Sequence, residues 1–144
     1  MKKTIFLFAF ISTLLMGCSK DDDSNSADKY MAFITVKDEL GKNIPNTTIY
    51  ALSDYTWQAN NEKTDFAEWT NITDKKGHTV FKDLNDDLLK VYKEGIAQFP
   101  VEFQPKTDYK EGIFRFVIKH QDQDFITKVI FEKGEQRHFV IILK

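Results

Sequence analysis

The last third of the chain constrains the fold most. From Ile113 to Lys119 (IFRFVIK), Phe114, Phe116 and Ile118 fall on every second position. Asp124 to Glu132 (DFITKVIFE) repeats the pattern, with Phe125, Val129 and Phe131 on one face and Ile126 and Ile130 on the other. Arg137 to Leu143 (RHFVIIL) sets Phe139, Ile141 and Leu143 together. Strand side chains alternate between faces, so a period of two in aromatic and β-branched residues reads as half-buried strand. Lys133-Gly134-Glu135-Gln136 makes a tight turn between the last two runs, which predicts that they pair as a hairpin.

The same reading extends upstream. Met31 to Lys37, Thr47 to Leu52, His78 to Leu84 and Leu88 to Lys93 are expected strands. Ile96 to Phe103 is a further one, placed at an edge or bend by Pro100. Asp86 to Val91 has room for one helical turn at most, and no segment carries a sustained stripe of period 3.6. About seven short strands separated by turns predict an all-β fold: a single antiparallel β-sandwich, Ig-like or transthyretin-like. The length of 144 residues suits one such domain.

Two stretches resemble a known family. Ile34 to Leu52 (ITVKDELGKNIPNTTIYAL) is similar to the opening of carboxypeptidase-regulatory-like, transthyretin-like domains: a strand, a turn with glycine, a proline and a second strand. Thr73, Asp74, Gly77, Phe81 and Leu84 match a second signature of these domains, Thr-Asp-x-x-Gly-x-x-x-Phe-x-x-Leu. Asp74 is suited to accept from backbone N–H groups of the turn, Gly77 to take a left-handed conformation, and Phe81 and Leu84 to point into the core. The resemblance implies a sandwich used as a noncatalytic module. The 20-residue stretch 53–72 between the signatures departs from the family.

The N-terminus carries an address. Lys2 and Lys3 precede the apolar run Ile5 to Met16. As a helix that run is about 18 Å long, too short for a hydrocarbon core of about 30 Å. A charged start, a short apolar core and a small residue at the end make a signal peptide. Leu15-Met16-Gly17-Cys18 resembles a bacterial lipobox, which implies cleavage before Cys18 and lipid on its thiol. Ser19, Lys20, Asp21, Asp22 and Asp23 resemble the acidic export signal of Bacteroidota lipoproteins. The expected organisation is therefore a signal peptide over 1–17, a lipidated acidic tether over 18–29 and a β-sandwich over 30–144. The expected location is the outer membrane, lipid-anchored and exposed at the cell surface, with the periplasmic face as the alternative.

Chemistry is harder to find. A formal net charge of −2 gives no basic excess for nucleic acid. The single cysteine excludes an intramolecular disulfide framework and a multi-cysteine zinc site. His78, His120 and His138 lack metal-ligand spacing. Asp83, Asn85, Asp86 and Asp87 offer hard oxygens for calcium, but without a calcium-loop pattern they read as a solvated turn. No Gly-x-Ser-x-Gly elbow is present, so no cofactor, no metal and no enzyme activity are expected. Tyr55, Trp57, Phe66 and Trp69 stand together in the unusual connector. Exposed, they are candidates for stacking on sugar rings or anchoring a protein; the alternatives are a lid folded over the core, or a strand within the stretch. The expected function is a surface-anchored lipoprotein whose noncatalytic sandwich binds a protein or glycan, or serves an envelope assembly. An envelope structural or inhibitor-like protein is the alternative.

Overall fold

The structure, a computed structural model, describes residues 29–93 and 109–144. The signal peptide, Cys18, the export residues Ser19 to Asp23 and the expected strand Ile96 to Phe103 lie outside the described residues. Among the described residues the strands are β1 (Tyr30–Asp38), β2 (Thr48–Ser53), β3 (Trp69–Ile72), β4 (His78–Leu84), β5 (Ile113–His120), β6 (Gln123–Ile130) and β7 (Gln136–Leu143). Two short helices join them, α1 (Asp54–Ala59) and α2 (Asp87–Lys93). The strands form a three-stranded sheet in the order β4-β1-β7 and a four-stranded sheet in the order β3-β2-β5-β6. The fold is the all-β sandwich that the alternation predicts.

The inward faces are those the period of two selects. Ala32, Ile34 and Val36 of β1 face Ile49, Ala51, Phe114, Phe116 and Ile118 of the other sheet. Phe81, Leu84, Val129, Ile141 and Leu143 complete this core. Full burial of each large side chain stabilises by roughly 1.5–3 kcal/mol. The turn before β4 forms as its sequence predicts. Asp74 accepts from the N–H groups of Lys76 and His78 at 2.8 and 2.9 Å, and Gly77 has φ +75°.

Two expectations are corrected. The predicted hairpin of the last two runs does not form, because β6 and β7 belong to different sheets. β6 pairs antiparallel with β5, and β7 crosses over to lie parallel to β1. Alternation fixes which face is buried but not which neighbour is paired. The true hairpin turn is Gln121-Asp122, with φ of 50° and 62°, the left-handed pair a two-residue loop requires. The predicted strand Leu88 to Lys93 is α2 instead, entered through Asn85, whose side chain accepts from the N–H of Asp87 at 3.1 Å. The connector 53–72 is built as α1 followed by β3, so it does contain a strand, one of the alternatives its sequence offered.

Candidate functional site

The polar interior of the molecule gathers at one end, where β2 and β4 finish and β1 and β5 begin. Asp86, just after β4, is only 3% exposed. Its Oδ2 accepts from the N–H of Gly112 at 2.8 Å. Its Oδ1 is buried and completes no hydrogen bond of acceptable geometry. Burial pushes the Asp86 carboxyl up from its ordinary range; the Gly112 N–H and the nearby Tyr30 hydroxyl oppose the shift, Glu111 reinforces it and Lys90 opposes it. The carboxyl thus takes up a proton at higher pH than a solvated aspartate.

Gly112 is what allows this approach. It has φ +75°, and a Cβ there would stand 2.5 Å from the carbonyl oxygen of Phe131. The Gly112 carbonyl in turn accepts from the N–H of Phe131 at 2.7 Å. Around Asp86 opens a cleft of about 180 Å³ lined by Tyr30, Asp86, Lys90, Glu111, Phe131 and Lys133. It holds two acids, two cations and two aromatic walls.

A second polar group lies beside it. Ser53 caps α1, and Glu68 Oε2 accepts from the Ser53 N–H at 2.7 Å while Oε1 accepts from the Ser53 hydroxyl at 2.9 Å. Burial pushes the Glu68 carboxyl up against these hydrogen bonds, and the charge of Asp86 adds to the shift. Asp54 Oδ1 accepts from Arg115 Nη1, and its Oδ2 accepts from Gln58 Nε2 and the Lys110 N–H. The Arg115 guanidinium also lies 5.7 Å from the centre of the Trp57 ring. Asp54 and Glu68 have both oxygens engaged and hold α1 to β5 and β3. Asp86 alone of these three lines the cleft.

The outer face of the three-stranded sheet offers another hollow, of about 360 Å³. Phe33 and His138 stack there with centroids 4.2 Å apart, and Thr35 and His78 share a hydrogen bond of 2.8 Å. It is an open, mainly apolar face without a buried polar group aimed into it. No group of three metal-ligating side chains converges among the described residues.

The four connector aromatics do not meet on one surface. Tyr55 is buried on α1 against Ala59 and Leu89. Trp57 is buried on Leu52 and Val117, covering the outer face of the four-stranded sheet. Trp69, half-buried in β3, meets Phe114 inside the sandwich at 5.8 Å between ring centroids. Phe66 is exposed. The expected solvated turn is corrected at one residue: Asp83 pairs with Lys29 at the surface, but Asp86 turns inward. Sequence reasoning missed Asp86. The available signal was a carboxylate between Leu84 and the pair Leu88-Leu89, which helical spacing carries into the core.

No protein-family model and no curated protein matches the chain. Solved structures do. Catechol 1,2-dioxygenase from Acinetobacter sp. ADP1 matches at a TM-score of 0.41 with 13% identity, over 72% of this chain and 36% of that one. 3-Chlorocatechol 1,2-dioxygenase from Rhodococcus opacus 1CP matches at 0.44 with 9% identity, over 81% of this chain and 60% of that one. Catechol 1,2-dioxygenase from Pseudomonas arvilla C-1 matches at 0.40 with 12% identity, over 72% and 36%. The chain therefore spans between about a third and three-fifths of the length of these proteins.

These neighbours are enzymes, and they correct two linked expectations: a noncatalytic binding, accessory or structural module, and the absence of enzyme activity. Both expectations took the sandwich to be a fold used without chemistry. One fold carries many unrelated sites, so the frame decides neither way. At these scores the likeness is one of architecture, and it brings no dioxygenase activity to this chain.

Proposed function

We propose that the chain is a lipid-anchored protein of the bacterial outer membrane, displayed at the cell surface, whose transthyretin-like sandwich holds a small polar ligand in the cleft at Asp86. The anchor reading is supported by Cys18 at the end of the lipobox-like sequence and by the acidic residues after it. Two acyl chains hold a protein at a membrane far more firmly than one. The tether would join the sandwich at Lys29, beside Tyr30, on the same end as the cleft.

The observation that carries the ligand reading is the Asp86 carboxyl, 3% exposed, in the wall of a cleft of about 180 Å³. A carboxyl tuned upward by burial supplies more than a hydrogen bond: it gives or takes a proton at a pH where a solvated aspartate no longer does.

Two experiments test the reading. Mass spectrometry of the chain from its native host should find Cys18 N-terminal and lipidated, and protease applied to intact cells should remove the sandwich. An unmodified Cys18 defeats the anchor. For the cleft, an NMR screen of small polar solutes should find binders that Asp86→Asn abolishes. If every binder found is indifferent to that substitution, the ligand lies elsewhere.

A further inference from the structure

β6 ends the four-stranded sheet, and no strand among the described residues pairs with its outer edge. It runs 8 residues, Gln123–Ile130, without a proline or a break in its register with β5. Short length, prolines, bulges and lysines are the usual guards of such an edge. Of these β6 carries only Lys128.

The edge is open in backbone and side chains at the same positions. β5 and β6 join through the turn Gln121-Asp122. Across so short a loop the flanking pair, His120 and Gln123, exchanges hydrogen bonds, and bonded and unbonded pairs alternate from there. The Phe131 N–H on the Gly112 carbonyl keeps that phase at the far end. Asp124, Ile126 and Lys128 fall at unbonded pairs, so their N–H and C=O groups point away from β5. Their side chains share the outer face with Ile130, and Ile126 and Ile130 are 50% and 58% exposed.

Charge decides what fits there. Lys128 stands opposite Arg115, whose own charge pairs with Asp54. Neither Lys128 nor Asp124 has an ion-pair partner among the described residues. A second β6 laid antiparallel, with Ile126 opposite Ile126, sets each Asp124 opposite the partner's Lys128. In that register all three facing pairs turn their backbone groups toward the other copy, for about six hydrogen bonds. Centring on Lys128 instead would cover Ile126 with Ile130 but set lysine against lysine, which is unfavourable. β7 also ends its sheet, yet its outward row of His138, Val140 and Ile142 holds no opposite charges to fix a register.

We propose that β6 pairs antiparallel with β6 of a second copy about a twofold axis at Ile126, joining two four-stranded sheets into one. Asp124 and Lys128 set the register, and the two Ile126 side chains close its centre. Such an interface is self-complementary, as a twofold requires.

The test is sedimentation equilibrium of the full-length chain in density-matched detergent, with Asp124→Lys, Lys128→Asp and the two combined. All three substitutions fall on exposed side chains of the monomer. The native chain should form a dimer. The twofold repeats each change, so either single variant trades two attractions for two repulsions and should weaken the dimer about tenfold or more. The combined variant restores opposite charges and should return to within about threefold of the native chain. Ile126→Lys places like charges at the axis and should weaken the dimer as much as either single variant. A chain that stays monomeric, or a combined variant no better than the single ones, overturns the inference. So does a dimer indifferent to all of these changes, the result expected if copies associate through the apolar run Ile5 to Met16 instead.

Discussion

Phe81 of β4 and Phe116 of β5 meet edge-on across the sandwich, with ring centroids 5.5 Å apart and planes at 63°. Both are fully buried, and Phe116 also lies 5.2 Å from the ring of Phe139. This is the joint between the sheets. Phe116→Ala should cost about 3–5 kcal/mol, through lost burial and the cavity left behind. Against a typical total of about 5–15 kcal/mol that is a large share. Urea unfolding should show a lower midpoint at unchanged slope. A loss below about 1 kcal/mol would mean that the two sheets do not pack on this pair.

That pair was legible in the sequence, because a period of two places Phe81 and Phe116 inward whatever their strands pair with. Asp74 and Gly77 were legible for a similar reason: turn chemistry is local. The partner of β7 was not. Lys133-Gly134 reads equally well as a hairpin or as a change of sheet, and only the whole core decides between them. α2 was missed because Leu88 and Leu89 suit a strand as well as a short helix, and Asn85 as a cap was overlooked. Asp86 was hidden among acids that do face water. Its burial depends on Gly112, some 26 residues further along, and no local pattern carries that information.

Arg115 and Asp54 form the ion pair that ties α1 to β5, with the Arg115 side chain 13% exposed and that of Asp54 5% exposed. Removing one member leaves the other charge buried and unpaired, which costs about 3–5 kcal/mol. Asp54→Ala should therefore destabilise strongly, and adding Arg115→Met should recover part of the loss. In a Trp69→Phe background the remaining Trp57 reports the event. Its fluorescence should shift toward that of solvated tryptophan in Asp54→Ala as α1 loosens. Additive losses in the double variant would show that the two groups do not act as a pair.

Glu68 and Asp86 are both raised in the folded chain, chiefly by burial. A raised acid holds its proton longer when folded than when unfolded. Between the ordinary value and the folded one the native state thus binds more protons, and stability falls as pH rises through that window. The window opens at about 3.8 for Asp86 and 4.5 for Glu68. Asp74 and Glu135 are lowered by backbone N–H donors and act in the opposite sense, losing their stabilisation as pH falls. The clean measurement is a difference: stability against pH for the native chain minus that for Asp86→Asn. The native chain should lose ground to the variant as pH rises from about 4, and a flat difference would place Asp86 in water.

Gly112 and Gly41 share a left-handed backbone, with φ of +75° and +80°, but not a setting. A Cβ at Gly41 meets nothing within 4 Å, whereas one at Gly112 stands 2.5 Å from the Phe131 carbonyl oxygen. Gly41→Ala should therefore cost only the torsional penalty, about 1–2 kcal/mol. Gly112→Ala carries the same penalty and must also push the start of β5 away from Phe131. That movement strains the 2.7 Å bond from the Phe131 N–H and the 2.8 Å bond to Asp86. Its cost should exceed that of Gly41→Ala by at least about 2 kcal/mol, roughly the worth of two such bonds. Denaturant titration of the two variants side by side makes the comparison. Equal losses would mean that Gly112 has room after all, and the close approach that aims Asp86 into its cleft would go with it.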